Sequence, residues 1–404
     1  MPPRDRKQIA GDEAMRMSQA ERIALFLENA CPDHHVRGGP ALVMARHTAM
    51  RILRRHPEVA RDSICTAIVC GDLEEAERVL RARPQAASEK SSAPGRDRAG
   101  AGHAGDLFRD IGPKGWEPLL YLCFTRLPLA AANDNAVALA RMLLDHGADP
   151  NAYFMAGDSC YTPLVGVIGE GEEDRPPHPQ RDALTCLLLE RGAEPYDMQV
   201  VYNIAFHGVV LWFLELIYGQ AVKLGRQADW DDPNWQMLDM GDYGNGARWH
   251  LNIAVRKNDV ALAEWLLAHG ASPNAAPPRD QGLSQRTLYE EALRNGFTAV
   301  AALLARYGAT PSVVVLEGIE AFAAACLQLD RHKVKALIVQ HPEYLRSPEA
   351  MFAAAKRDRA DVVALLLDLG MSPDVEDGQR QRPLHIAAYA GSLGVAQLPI
   401  ERGA

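Results

Sequence analysis

The chain has 404 residues, 48% of them hydrophobic and 6% aromatic, with a formal net charge of −9. It is long for one globule, so several domains or a repeat array are expected, and the abundant Ala and Leu favour helices packed through small residues. The acidic balance argues against nucleic acid as the main partner, because phosphate binding needs a concentrated Lys/Arg surface.

In chain order, Met1–Gln19 reads as a disordered tail. Ala20–Glu28 is a predicted helix, and Ala41–Arg55 a second, with Ala41, Met44, Ala45, Ala49 and Ile52 at helical spacing. Residues 1–61 are therefore expected to form a tail and a helical cap over the first helical unit, Asp62–Arg83. Lys90–Gly105, rich in Ser, Gly, Ala and Arg, is a flexible insertion within 84–114.

From unit two onward one phrase recurs: a Leu-rich helix end, then Gly, a small residue, a variable residue and Pro. It reads Leu143-Leu144-Asp145-His146-Gly147-Ala148-Asp149-Pro150-Asn151, then Leu188-Leu189-Glu190-Arg191-Gly192-Ala193-Glu194-Pro195, then Leu266-Leu267-Ala268-His269-Gly270-Ala271-Ser272-Pro273-Asn274. Further copies are Gly308-Ala309-Thr310-Pro311, Gly370-Met371-Ser372-Pro373 and the final Gly403-Ala404. The leucines bury one helix face. Gly stands just past the helix end, where a left-handed backbone is wanted, and Pro cannot continue a helix. His or Arg in the last turn suits the helix dipole. Gly370 to Gly403 spans 33 residues and Gly270 to Gly308 spans 38; Gly147 to Gly192 spans 45 and Gly192 to Gly270 spans 78. These are one period, one period plus an insertion (twice), and two periods plus an insertion.

A second element precedes the phrase. Its clearest copy is Arg382-Pro383-Leu384-His385-Ile386-Ala387-Ala388, with weaker copies at Tyr161-Thr162-Pro163-Leu164 and Trp116-Glu117-Pro118-Leu119. Pro at the first helical position loses no intrahelical bond, and Thr before it caps the helix. Trp249–Ala254 and Arg286–Ala292 keep the apolar spacing and lose the Pro. These residues resemble the ankyrin-repeat family, whose signature opens Thr-Pro-Leu-His-x-Ala-Ala and closes Leu-Leu-x-x-Gly-Ala. The resemblance implies an all-α, ankyrin-type solenoid of stacked helix–loop–helix repeats over 62–404, about nine in number. It implies a structural hydrogen bond for His385. It also implies a protein-interaction scaffold that binds through a concave face and loop tips, and that is not an enzyme.

Insertions are expected near 84–114, 170–180 and 227–246. Glu170–Pro177 is acidic, Pro-stiffened and expected outside the core; Glu172, Glu173 and Asp174 are candidate partner contacts. Gln227–Gly246 interleaves acids with aromatics, and Trp230, Asp231, Trp235 and Tyr243 are candidate hot-spot residues. The other reading is that these aromatics plug a defect between units four and five. Pro399 lies inside the last predicted helix, Leu393–Arg402, so the last unit is expected to be weakly stable.

Cys31-Pro32-Asp33-His34-His35, with His47 and His56, is the densest set of metal-ligand types. A metal-dependent or hydrolytic protein using it is the alternative function, against a plain polar loop between two helices. No cofactor, no metal and no catalytic set is expected; HExxH and GxSxG are absent, and Gly241–Gly246 lacks the strand and Lys of a phosphate loop. Seven cysteines without CxxC suit a reducing compartment. The polar start, Met1–Gln8, and the shortness of the most apolar stretch, Val209–Tyr218, give a soluble, cytoplasmic, monomeric protein without a membrane partner as the expectation.

Overall fold

The structure is a computed structural model that describes residues 18–32, 39–91, 115–156, 159–171, 175–277, 286–313 and 315–401. It divides into two compact units, Met1–Gly225 and Arg226–Ala404.

In the first unit, α1 (Gln19–Ala30) starts at a capping box, in which Ser18 and Glu21 satisfy each other's backbone amides. α1 packs on α2 (Gly39–Arg55) and on α3 (Ile64–Cys70), burying Ile23, Phe26, Leu27 and Ala30. Hairpin pairs of helices come next: α3 with α4 (Leu73–Ala82), α5 (Pro118–Phe124) with α6 (Ala130–Asp134) and α7 (Ala136–Asp145), α8 (Pro163–Ile168) with α9 (Arg181–Glu190), and α10 (Met198–Asn203) followed by α11 (Val210–Lys223). First helices stack on first helices, α3 on α5 on α8 on α10. Second helices do the same, α4 on α7 on α9 on α11.

The second unit repeats the scheme with α12 (Gly246–Lys257) and α13 (Val260–Ala268), α14 (Leu288–Arg294) and α15 (Thr298–Arg306), α16 (Gly318–Leu327) and α17 (Arg331–Gln340), α18 (Glu349–Lys356) and α19 (Ala360–Asp368), α20 (Pro383–Ala390) and α21 (Leu393–Glu401). Phe322, Met351, Val362, Leu366 and Val395 belong to one continuous core across its last three pairs. α21 runs on past Pro399.

The recurrent phrase acquires a physical meaning here. Gly147, Gly192, Gly270, Gly308 and Gly370 all have φ between 88° and 94°, a backbone that a Cβ would strain. The amide after each glycine reaches back to a leucine carbonyl: Ala148 to Leu143, Ala193 to Leu188, Ala271 to Leu266, Ala309 to Leu304 and Met371 to Leu366, all at 2.9–3.1 Å. That is the Schellman closure of a helix C-terminus, made five times. His146 and His269 bring Nδ1 within 2.8 Å of the carbonyls of Met142 and Trp265 in the same last turns.

A second left-handed position closes the first helix of most pairs: Gly71, Asn258, Leu329, Asp358 and Gly391. The next residue is often an Asp that caps the second helix. Asp72, Asp259 and Asp330 accept from the amides of Glu75, Leu262 and Lys333 at 2.9–3.0 Å. At the openings of first helices, Pro118, Pro163 and Pro383 are buried, and the Arg382 amide donates to His385 Nδ1 at 3.2 Å. Aligned on its C-cap, α12 carries one extra turn at its start, and fully buried His250 takes the place of that proline.

The fold is thus an all-α, ankyrin-type repeat solenoid with a helical N-terminal cap. One addition to it is a two-stranded antiparallel hairpin, β1 (Phe154–Ala156) and β2 (Ser159–Tyr161), in the loop between the second and third pairs.

Candidate binding surface

The loops between pairs carry side chains that the helical core does not need. The β1–β2 hairpin is one of them. Its register sets Phe154 opposite Tyr161 and Met155 opposite Cys160. Alternation along the strand therefore gives it two chemically distinct faces. The inner face is aromatic: Phe154 stacks on Trp116 at 4.2 Å and on Tyr161 at 5.4 Å, and meets Phe124 edge-on at 5.2 Å. Its outer face shows Tyr153, 60% exposed, and Met155, 56% exposed, with exposed Cys160 beside Met155. α10 lies against β2 and adds exposed Met198.

The hairpin is held at its base by hydrogen bonds across the repeat boundary. Asn151 Nδ2 donates to the Gly192 carbonyl at 2.9 Å, and the Glu194 amide donates to Asn151 Oδ1 at 2.7 Å. Thr162 caps α8 and donates its hydroxyl to Asp197 at 2.7 Å. Asp197 also caps α10; burial raises its carboxyl above the usual range, against the opposing effect of these bonds. Sequence reasoning passed over this hairpin. The short apolar run Tyr153-Phe154-Met155, with two β-prone aromatics in a stretch already too long for one period, was the available signal.

In the second unit the 227–246 loop folds over α12 and α13 as three short 3-10 turns. Trp230 is 3% exposed and Trp235 fully buried. With Trp265 they form a cluster of edge-on indoles, with centroids 4.8–6.4 Å apart. Neither indole presents a surface to a partner; both pack, which is the second of the two readings. Trp235 holds a left-handed backbone (φ 53°), a strain that its burial offsets. The acids lie outside. Asp232 and Asp239 bond the loop's own amides, whereas Asp231, Asp242 and Tyr243 are exposed, and Tyr243 leans edge-on against Trp249. The interleaving of acids and aromatics is the pattern of an amphipathic plug: apolar groups inward, carboxylates outward.

Contrary to what its sequence suggests, the acidic insertion Glu170–Pro177 does not lie wholly outside the core. Glu170 and Arg175 are not outside the core: they are 1% and 3% exposed, bridge as isolated β-partners, and form an ion pair at 3.1 Å. The backbone bridge between Glu170 and Arg175 holds both charges out of solvent, which is tolerable only because they are paired. Beside them Arg126 donates to the carbonyls of Cys123, Thr125, Gly166 and Pro176, and burial lowers its pKa to about 10. Glu172, Glu173 and Asp174 lie outside the described residues.

Asp33, His34 and His35 also lie outside the described residues. Of the rest of that set, the Cys31 thiol is buried, donates to the Tyr121 carbonyl at 3.4 Å, and is held far above the ordinary thiol range by desolvation. His56 pairs with Glu58 at 3.2 Å. Among the described residues no three of His, Cys, Asp and Glu converge as a metal site would require. None of the described helices is long and apolar enough to cross a membrane.

Stacked helical hairpins with Gly-closed helix ends and solvent-facing loop tips define an ankyrin-type repeat fold. The comparison with known proteins agrees. A stretch of 139 residues is 27% identical to an ankyrin repeat protein of fowlpox virus (strain NVSL), covering 34% of this chain and 20% of that protein. The similarity thus spans about one fifth of that relative's length. No family model matches the chain.

Proposed function

We propose that the protein is a non-enzymatic scaffold that binds another protein through the tips of its inter-repeat loops. The observation that carries this reading is the β1–β2 hairpin, where Tyr153 and Met155 face solvent on a support made rigid by Phe154, Trp116 and Tyr161. Large apolar side chains with no packing role, on a fixed backbone, suit anchor positions in an interface. Tyr243 and Asp231 of the 227–246 loop are the second contact region, with Trp230 and Trp235 holding that loop in place. Glu172, Glu173 and Asp174 complete the proposed contacts. The acidic surface favours a basic partner and salt-sensitive association.

The test is affinity capture from native lysate, with the wild-type chain run beside Y153S/M155S and D231A/Y243A and the retained proteins counted by mass spectrometry. A scaffold retains a protein that one of the variants loses by about 10-fold, the effect of removing a single moderate hot spot. Both variants must keep the wild-type melting profile. A chain that retains the same proteins with every variant, or none above the bare resin, refutes the reading.

A further inference from the structure

The hairpin's surroundings narrow the chemistry of what it binds. Two apolar side chains, Tyr153 and Met155, stand on the outer face, with Cys160 opposite Met155 and Met198 at the edge. Exposed Asp149 lies at the start of the hairpin loop, close enough to Glu117 to help raise its pKa, after burial. On the neighbouring loop, exposed Glu194 is fixed by the Asn151 clamp, and it adds to the burial-driven rise of Asp197. Asp197 in turn reaches Cys160 electrostatically. Thus carboxylates gather at the base of the hairpin: Asp149 accepts from the Asn151 amide at 2.8 Å, the Glu194 amide donates to the same asparagine at 2.7 Å, and Asp197 is bonded to Thr162 at the end of β2. Among the described residues, Arg191 pairs with Asp145 at 2.7 Å, and Lys90 is near enough to Glu117 to offset part of the rise in its pKa.

We infer that the β1–β2 hairpin is the docking site for a cationic amphipathic segment of another protein, whose apolar side chains cover Tyr153 and Met155 while its Lys or Arg side chains meet Asp149 and Glu194. This rests on the scaffold reading and gives it a partner class. An acidic or neutral apolar segment would bury its own chain beside these carboxylates without compensation, and like charge at an interface is strongly disfavoured. A cationic segment turns the same carboxylates into steering groups. Geometry adds selectivity: the outer face is two side chains wide, so it suits one helix or strand rather than a broad surface.

The experiment is a selection from a random 12-residue peptide phage library on the immobilised full chain, with the enriched peptides then measured by fluorescence anisotropy. Peptides enriched on the wild type are expected to carry excess Lys/Arg together with aromatic or long aliphatic residues. Their binding should fall at least 10-fold with Y153S/M155S. It should also fall several-fold with D149N/E194Q, which keeps the shape of both loops and removes only charge. Raising NaCl from 50 to 300 mM should weaken wild-type binding several-fold and D149N/E194Q binding much less. Enriched peptides without a basic excess, or peptides indifferent to both variants, overturn the inference while leaving the chain a binder. A library that yields nothing above bare resin counts against both the inference and the scaffold reading.

Discussion

Trp235 is where a single residue most changes the expected behaviour of the molecule. Read from sequence, its indole and that of Trp230 are candidate contacts, whose loss would spare stability. In the fold, Trp235 is fully buried against Trp230 and Trp265. Trp235→Ala should therefore cost about 3–5 kcal/mol, the range for truncating a buried aromatic, read as a lower urea midpoint of the second unit. An unchanged midpoint would contradict that packing. The sequence could not decide this because composition is the same for both readings: a loop of Trp and Asp makes a recognition surface or an amphipathic plug according to which side faces the helices. Glu170 and Arg175 illustrate the same limit. Nothing in an acidic, Pro-rich run shows that its two ends will meet and bury an ion pair.

At the scale of elements, legibility was far better, because the phrase is a local device. A left-handed glycine, a Schellman closure and a following proline need no tertiary information, and five copies carry φ values within a few degrees of one another. The cap helices were equally readable from their apolar spacing. What the phrase did not disclose is the role of its last residue. Asn151 and Asn274 each donate to the carbonyl of the next repeat's glycine, Gly192 and Gly308, and accept from the amides of Glu194 and Thr310. These two clamps carry the same chemistry into the two units. Asn151→Ala and Asn274→Ala should each lower stability by about 1–2 kcal/mol, the net worth of two exposed hydrogen bonds. Asp at either position would keep the acceptor and lose the donor. Native-state hydrogen exchange should show the loss as faster exchange of the Glu194 or Thr310 amide, with distant helices unaffected; slowed or unchanged exchange there would mean that these bonds do not clamp the loops.

For the whole molecule, buried neutral histidines make stability sensitive to acid. His250 is fully buried and its pKa is lowered to about 3 by desolvation; neither ring nitrogen has a hydrogen-bond partner among the described residues. His178 is lowered to about 3 by burial and by Arg126, while its Nδ1 accepts from the Gln180 amide. His207 is lowered by burial, and by Arg181 and Arg126. An unfolded chain protonates these histidines near pH 6.5, whereas in the folded chain His178 and His250 resist protonation down to about pH 3 and His207 is moved in the same direction, so the unfolded state binds more protons below pH 6.5. The contribution of these neutral histidines is complete above pH 6.5 and is lost as the pH drops toward 3, by about 1.4 kcal/mol per pH unit for each fully suppressed histidine. The first unit holds His178 and His207 and the second holds His250, so both should weaken. Urea titrations at pH 7.5 and 5.0 check this, and a flat pH response across that interval would be the adverse result.

The aromatic anchoring of the β1–β2 hairpin also bears on time. Because Phe154 is stacked between Trp116 and Tyr161, the backbone that carries Tyr153 and Met155 is set by packing within the protein rather than by a partner. Association should then be limited by diffusion and charge steering, and residence time by what covers Tyr153 and Met155. Loosening the hairpin from within, by shrinking Phe154, should slow the arrival of a partner that Phe154 never touches.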